Sequence, residues 1–153
     1  MSITLSGYKA PNTEGSLVHY KPKYDNFIGG EWVAPLGGPY FDNPSPVDGK
    51  VFTKVARSQK EDIELALNKA HQAKEKWGDT SVAERSNILL KIADRLEENL
   101  EMLALSETWD KGKPIREALY GDLPAAIDHF RYFAGVIRGE EGGVSEIDAH
   151  TLS

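Results

Sequence analysis

Residues 81–103 read SVAERSNILLKIADRLEENLEML, and this stretch decides how the middle of the chain folds. It opens with a capping box, in which the Ser81 hydroxyl can accept from the Glu84 amide and the Glu84 carboxylate can reach back. Apolar residues then recur at helical spacing and form a stripe that we expect to face a core: Ile88, Ile92, Leu96, Leu100 and Leu103. The pattern predicts one long helix from Ser81 to Gly112, a glycine that suits the left-handed position after a helix.

A helix is also predicted on each side of this one. Upstream, Ser58 and Glu61 form a second capping box. The helix that follows ends at Gly78 and carries an apolar face of Ile63, Ala66, Leu67, Ala70 and Trp77. Downstream, Pro114 suits the first turn of a short helix, and Asp122 is predicted to cap the last helix. That helix ends at Gly139 and carries Ile127, Phe130, Ala134 and Ile137.

Short strands are predicted before these helices. Residues 26–33 place two apolar stubs around Gly29–Gly30, which indicates a tight hairpin. A looser hairpin is expected to pair residues 40–41 with residues 51–55, since the proline-rich segment between them ends in Asp48–Gly49. The first 24 residues are polar and irregular and are interpreted as an extended arm. The fold class is therefore mainly α with short N-terminal β-hairpins, which makes the isolated chain α+β.

The last ten residues, 144–153, begin to alternate polar and apolar side chains, as a half-buried strand would. A strand with no partner after it suggests that the sequence is part of a longer one.

Composition restricts the possible functions. A net charge of -6 and a pI of about 5.2 argue against binding to nucleic acid or to an anionic membrane surface. No apolar run approaches the ~20 residues that span a bilayer, and the first residues lack the apolar core of a secretory signal. A cytoplasmic location is the expectation. The chain has no cysteine, so it can supply neither a thiolate nucleophile nor a disulfide.

No catalytic constellation is visible in the residues alone. The four histidines, His19, His71, His129 and His150, lack the spacing of a metal site. Neither a G-x-G-x-x-G dinucleotide motif nor a phosphate-binding P-loop occurs, and no serine lies in a G-x-S-x-G elbow. Paired carboxylates such as Glu97–Glu98 are typical of solvated helix faces. These residues predict a mainly helical module with no catalytic, cofactor-binding or metal-binding cluster.

The order of five segments resembles the opening of the aldehyde dehydrogenases. They are NFIGGEW at 26–32, DNPSPVDGK at 42–50, RSNILLKIADRLE at 85–97, ETWDKGKP at 107–114 and DHFRYFAG at 128–135. The resemblance implies a piece of a larger α/β, Rossmann-like fold. It makes residues 1–24 an arm, residues 25–143 the N-terminal part of a cofactor-binding domain, and residues 144–153 the start of an oligomerisation strand.

The resemblance also implies chemistry. Family members oxidise aldehydes to acids with NAD or NADP, through a cysteine thiolate, a glutamate-activated water and an oxyanion hole. All these groups belong to parts of the family's chain that follow the segment seen here. We therefore expect the 153-residue chain to be inactive alone and to bind neither NAD nor NADP. The full enzyme is expected to act on a small aldehyde, as the acetaldehyde and aliphatic-aldehyde group does.

Two minor site roles follow from the resemblance by position. The helix after Gly112 lines the substrate entrance in the family, which points to Gly121 and Ala125. A monovalent cation, found in some members, would lie near Asp110 and the backbone of Phe41.

Two hypotheses remain open. The chain is either the N-terminal segment of an aldehyde dehydrogenase or a non-catalytic interaction module derived from that family. In both, its partners are further copies of itself or full-length subunits in a homo-oligomer.

Overall fold

The computed structural model describes residues 8–140, 146–148 and 150–152, and within them the chain is mostly helical with a few short strands. The strands are β1 (Lys23–Tyr24), β2 (Asn26–Ile28), β3 (Glu31–Val33), β4 (Tyr40–Pro44), β5 (Val51–Ala56), β6 (Glu146–Asp148) and β7 (Thr151–Leu152). The helices are α1 (Lys60–Gly78), α2 (Val82–Glu98), α3 (Leu100–Lys111), α4 (Ile115–Glu117) and α5 (Leu123–Gly139), and a π-helical turn (Ala118–Asp122) joins α4 to α5.

Both predicted hairpins are confirmed. Strands β2 and β3 pair antiparallel around Gly29 and Gly30, whose φ angles of 64° and 88° are those of a tight primed turn. Strands β4 and β5 pair antiparallel from Tyr40–Ala56 to Pro44–Val51, with an irregularity at Pro44.

The N-terminal arm is more ordered in its described part than the sequence predicts. Ser16 and Val18 are buried, and β1 lies beside β5 in parallel, so that the sheet order is β1-β5-β4. The Thr53 hydroxyl on β5 also donates to the Lys21 carbonyl at 2.7 Å. These contacts join residues about thirty positions apart, which no local pattern reveals.

Helix α1 starts one residue later than predicted. The capping box at Ser58 and Glu61 is wrong, because Gln59 is the N-cap and Asp62 the third helical residue. The buried Asp62 carboxylate accepts from the Gln59 amide and, through its other oxygen, from the Leu36 amide, both at 2.8 Å. The Ser58 hydroxyl instead donates to the Asn26 side chain. Asp62 therefore links the helix start to the loop after β3.

The predicted continuous helix from Ser81 to Gly112 is interrupted. Ser81 and Glu84 form the expected capping box, and Gly112 ends α3 with a φ of 76°. Between them, however, Asn99 has φ -111° and ψ 19° and separates α2 from α3. Its side-chain amide donates to the Arg95 carbonyl at 2.8 Å. Asparagine is unfavourable in helix interiors because its side chain can form hydrogen bonds with nearby backbone groups in this way.

The prediction that Asp122 caps the last helix is also wrong. Asp122 has helical dihedrals inside a continuous run that passes from α4 through the π turn into α5, and its side chain makes no capping hydrogen bond. Its carboxylate contacts the Lys113 ammonium instead.

The helical core has two parts. Helix α2 packs on α5 through the buried residues Ser86, Ala93, Ile127 and Ala134. The second part is a cluster of Ala104, Ala118 and Leu119, against which Tyr8, Leu100, Ile115 and Leu123 pack. Helix α1 stays outside this core. Its predicted core-facing residues Ile63, Leu67 and Trp77 are each more than half exposed.

The prediction of one unpaired strand near the C-terminus is wrong for the described residues. The backbone of β6 pairs antiparallel with β7, with Glu146 opposite Leu152 and Asp148 opposite Thr151. Residues 1–7 of the predicted arm lie outside the described residues, as do positions 141–145, 149 and 153.

Candidate functional site

The two residues predicted at a substrate entrance share one exposed helix face. Gly121 lies in the π turn and Ala125 one turn later in α5, and both are exposed. A Cβ added to Gly121 would meet no heavy atom within 4 Å. Tyr120 beside it is 61% exposed, whereas the preceding Ala118 and Leu119 are buried in the core. The buried pair anchors this face, and the small residues leave its surface open.

The two residues predicted near a cation lie where the sheet meets the end of α3. The Asp110 carboxylate accepts a hydrogen bond from the Asn43 side chain at 2.8 Å. Phe41 lies two residues before Asn43 on β4, and its ring lies beneath the Arg57 guanidinium at 5.5 Å. The described residues contain no group of three or more His, Asp or Glu side chains that could hold a metal ion. The monovalent cation therefore stays a prediction.

A neighbouring tyrosine, Tyr20, contributes to this junction although no sequence pattern indicates it. The Tyr20 hydroxyl donates to the Ser106 carbonyl at 3.1 Å, and its ring packs on Phe52 with centroids 4.5 Å apart. Burial raises the pKa of Tyr20, and the Asp110 charge raises it further. Together with Ser106, Glu107, Asp110 and Lys111, Tyr20 lines a cavity of about 300 Å³. No local signal could have shown this contact, since Tyr20 and Ser106 are 86 residues apart.

Among the described residues, none of the four histidines belongs to a group of three or more side chains that could hold a metal ion. His19, His71, His129 and His150 are exposed.

The described residues do not fit NAD or NADP. A Rossmann-type dinucleotide site combines a parallel strand, a glycine-rich turn and a helix N-terminus, which together hold the pyrophosphate. In residues 8–140 and the two short C-terminal strands, the one parallel pairing is β1 with β5, over two residue pairs. Strand β5 then enters α1 through Arg57, Ser58 and Gln59, with no glycine. The described residues therefore form no Rossmann-type pyrophosphate site.

Within the described part of the chain, no helix combines the length and apolar character needed to cross a membrane.

Comparison with known proteins decides the family. The sequence model of the aldehyde dehydrogenase family matches residues 32–153. The chain belongs to the aldehyde dehydrogenase family. This match includes the exposed face at Gly121 and the junction at Asp110.

Individual aldehyde dehydrogenases are similar over almost the whole chain. An aldehyde dehydrogenase of Deinococcus radiodurans is 68% identical over 96% of this chain, and a long-chain-aldehyde dehydrogenase of an Acinetobacter species is 64% identical over 95%. An acetaldehyde dehydrogenase of Pseudomonas aeruginosa is 58% identical over 95%. The chain spans only 28% to 29% of the length of these relatives.

Several solved structures share the fold, and aldehyde dehydrogenases are among them. One from Burkholderia cenocepacia matches 84% of this chain and 26% of its own at a TM-score of 0.79 and 36% identity. PnpE, from a Pseudomonas species and solved with nicotinamide adenine dinucleotide, matches the same shares at a TM-score of 0.79 and 38% identity. The described arrangement of hairpins and helices is therefore one that solved aldehyde dehydrogenases adopt.

Proposed function

We propose that this chain is a segment of an aldehyde dehydrogenase subunit that oxidises a small aldehyde to its acid with NAD or NADP. The observation that carries the proposal is the 68% identity to an aldehyde dehydrogenase over 96% of the chain. In this proposal the segment belongs to the larger α/β, Rossmann-like fold of the family, whose remainder supplies the cofactor site.

The 153 residues alone do not catalyse the reaction. Covalent oxidation of an aldehyde in this family needs a thiolate to attack the carbonyl carbon, and the chain contains no cysteine. The described residues also offer no turn that could hold the dinucleotide pyrophosphate. In the complete subunit, other residues must therefore supply the nucleophilic thiolate and the binding site for the cofactor.

The role of this segment in the complete enzyme is to form one wall of the substrate entrance. Gly121 and Ala125 lie on an open face, and the space above Gly121 can accept a side chain without a clash. Small residues at both positions leave the entrance wide. Relatives named for acetaldehyde and for long-chain aldehydes are similarly close, so chain-length preference is the property to measure.

A second candidate function is a non-catalytic interaction module that binds copies of itself or full-length subunits. Its support is the apolar surface left uncovered, above all Ile63 and Leu67 on α1 and Ile88 and Ile92 on α2. An exposed apolar face of this kind favours association.

The test uses two proteins. The first is the purified 153-residue chain, which should produce no NADH from acetaldehyde and NAD. The second is the Deinococcus radiodurans enzyme in which this chain replaces its matched 147 residues, and this hybrid enzyme should be active. Turnover by the chain alone, or a folded but inactive hybrid, would contradict the proposal.

The entrance role is tested in the hybrid enzyme with Gly121→Phe. The new ring should raise KM for long aldehydes more than for acetaldehyde and leave kcat for acetaldehyde nearly unchanged. Ala83→Phe, at an exposed position on α2, is the matched control and should change neither KM.

A further inference from the structure

The spacing of buried residues between α4 and α5 does not suit a regular α-helix. Ile115, Leu119, Leu123 and Ile127 follow one another at intervals of four. Four residues of an α-helix turn about 40° beyond a full circle. Three such steps would move the last side chain about 120° away from the first. A regular helix would therefore turn part of this stripe out of the core.

The structure keeps all four residues on the buried side through a π turn. Ile115 and Leu123 pack against the cluster that contains Leu119, and Ile127 is 6% exposed. The Leu123 amide donates to the Ala118 carbonyl, a bond that spans five residues. A π turn contains more residues than an α turn, so it cancels the drift of the stripe.

The same turn decides which residues face outward. Because Ala118 and Leu119 are held inside, Tyr120 and Gly121 must lie on the outer surface, in line with the exposed Ala125. With one residue fewer in the turn, everything after it would rotate by about 100° relative to α4. The direction of Ala125 thus depends on the π turn.

One ion pair spans this turn. The Lys113 ammonium, before α4, contacts the carboxylate of Asp122, the last residue of the π turn. The hydrogen bond to Asp122 raises the pKa of Lys113, and the charges of Glu107 and Glu117 add to the effect. The ammonium is thus charged at neutral pH. Both side chains are about one-third exposed, so the pair is only partly shielded from water.

We propose that Lys113 is a positioning residue, which holds the π turn through Asp122 and so sets the direction of the entrance face at Gly121 and Ala125. Its functional consequence rests on the entrance role proposed above. Lys113 need not touch a substrate, because it acts by fixing the register in which α4 continues into α5.

The register is measured in the 153-residue chain. Because the native sequence has no cysteine, Arg116→Cys and Ala125→Cys provide the two sites for spin labels on either side of the turn. Both positions are exposed. Adding Lys113→Met should shift or broaden the distance distribution between the labels. It should also speed hydrogen exchange of the Leu123 amide about threefold, the size expected of a partly exposed ion pair.

Three further variants make the result specific. Lys113→Arg keeps the charge and should restore the native distance. Asp122→Asn keeps the side-chain shape and should change the distance in the same way as Lys113→Met. It therefore serves as the test if Lys113→Met fails to melt cooperatively. Lys111→Met removes a lysine paired with Glu107 outside the turn and should leave the distance unchanged.

The outcomes separate this inference from the proposed function. A native distance and native exchange in folded Lys113→Met and Asp122→Asn would overturn the positioning role. If the register changes as expected, the hybrid enzyme with Lys113→Met should lose chain-length selectivity through KM rather than kcat. Unchanged selectivity there would overturn the entrance role and leave the positioning of the turn supported.

Discussion

The hydroxyl of Ser86 on α2 donates a hydrogen bond to the backbone carbonyl of Ala134 on α5 at 2.7 Å. Ser86 is buried, and its oxygen also accepts from the Arg138 side chain at 2.7 Å. Arg131 adds a second connection between the same helices, through Asp94 and Glu97. The interface between α2 and α5 therefore combines apolar packing with a buried hydrogen bond.

Ser86→Ala should lower the free energy of unfolding by roughly 1–3 kcal/mol, because it removes two hydrogen bonds at a buried position, one to the Ala134 carbonyl and one from the Arg138 side chain. Chemical denaturation monitored by circular dichroism measures this. Ser106→Ala is the matched control, since the Ser106 hydroxyl contacts only the weakly accepting sulfur of Met102 among the contacts described for it. Equal losses for the two variants would contradict a special role for the Ser86 contact.

Two glycine substitutions should have opposite effects. Gly112→Ala should destabilise the chain by about 1–2 kcal/mol, because a left-handed backbone is unfavourable for alanine. Its Cβ would also lie 3.0 Å from Pro46. Gly135→Ala in α5 should stabilise it by about 0.5–1 kcal/mol, since alanine is the better helix former. No heavy atom lies within 4 Å of that added Cβ. Thermal melts of the two variants measure these changes in stability. A Gly112→Ala protein as stable as the native chain would contradict the prediction that alanine is strained at this left-handed position.

The start of α2 should be sensitive to acid. The Ser81 amide and hydroxyl each donate to the Glu84 carboxylate at 2.9 Å, and these bonds lower the pKa of Glu84. A lowered pKa means that this stabilisation is present above the ordinary glutamate range and disappears as the pH falls through the folded-state pKa. Glu84→Gln should therefore lower the melting temperature at neutral pH, and the difference should vanish in acid.

Glu75→Gln on α1 controls for the loss of one exposed negative charge. A difference between Glu84→Gln and the native chain that stays constant down to strongly acidic pH would show that the carboxylate bonds do not contribute.

The apolar groove on α2 and α3 should make the isolated chain associate. It has a volume of about 520 Å³, and its apolar residues include Ile88, Ile92, Leu96 and Leu103. Uncovered apolar surface promotes association, so light scattering at low micromolar concentration should show dimers or larger species. Ile92→Lys should shift them towards the monomer, whereas Gln72→Lys, at an exposed position on α1, should not. A native chain that is monomeric and melts sharply would refute this prediction.

Short-range features were predictable because their causes lie within a few residues. The turn at Gly29–Gly30 and the left-handed Gly112 follow from the backbone freedom of glycine, and the cap at Ser81 follows from an acceptor three residues before a donor. The break at Asn99 has an equally local cause, yet the apolar stripe that continues across it concealed it. The start of α1 was misplaced because Asp62 is held in part by Leu36, far outside any capping pattern.

By itself, the sequence determined that the chain is mainly helical, that it belongs with the aldehyde dehydrogenases, and that no thiol nucleophile can come from it. These conclusions depend on composition and on the order of residues along the chain, and neither of these requires knowledge of tertiary contacts. Only the tertiary structure decided that β1 joins β5, that Tyr20 binds the Ser106 carbonyl, and that Asp122 pairs with Lys113 rather than capping α5. Such pairings depend on which distant surfaces meet when the apolar residues are buried, and a hydrogen-bonding or charged side chain takes whichever partner that packing brings near.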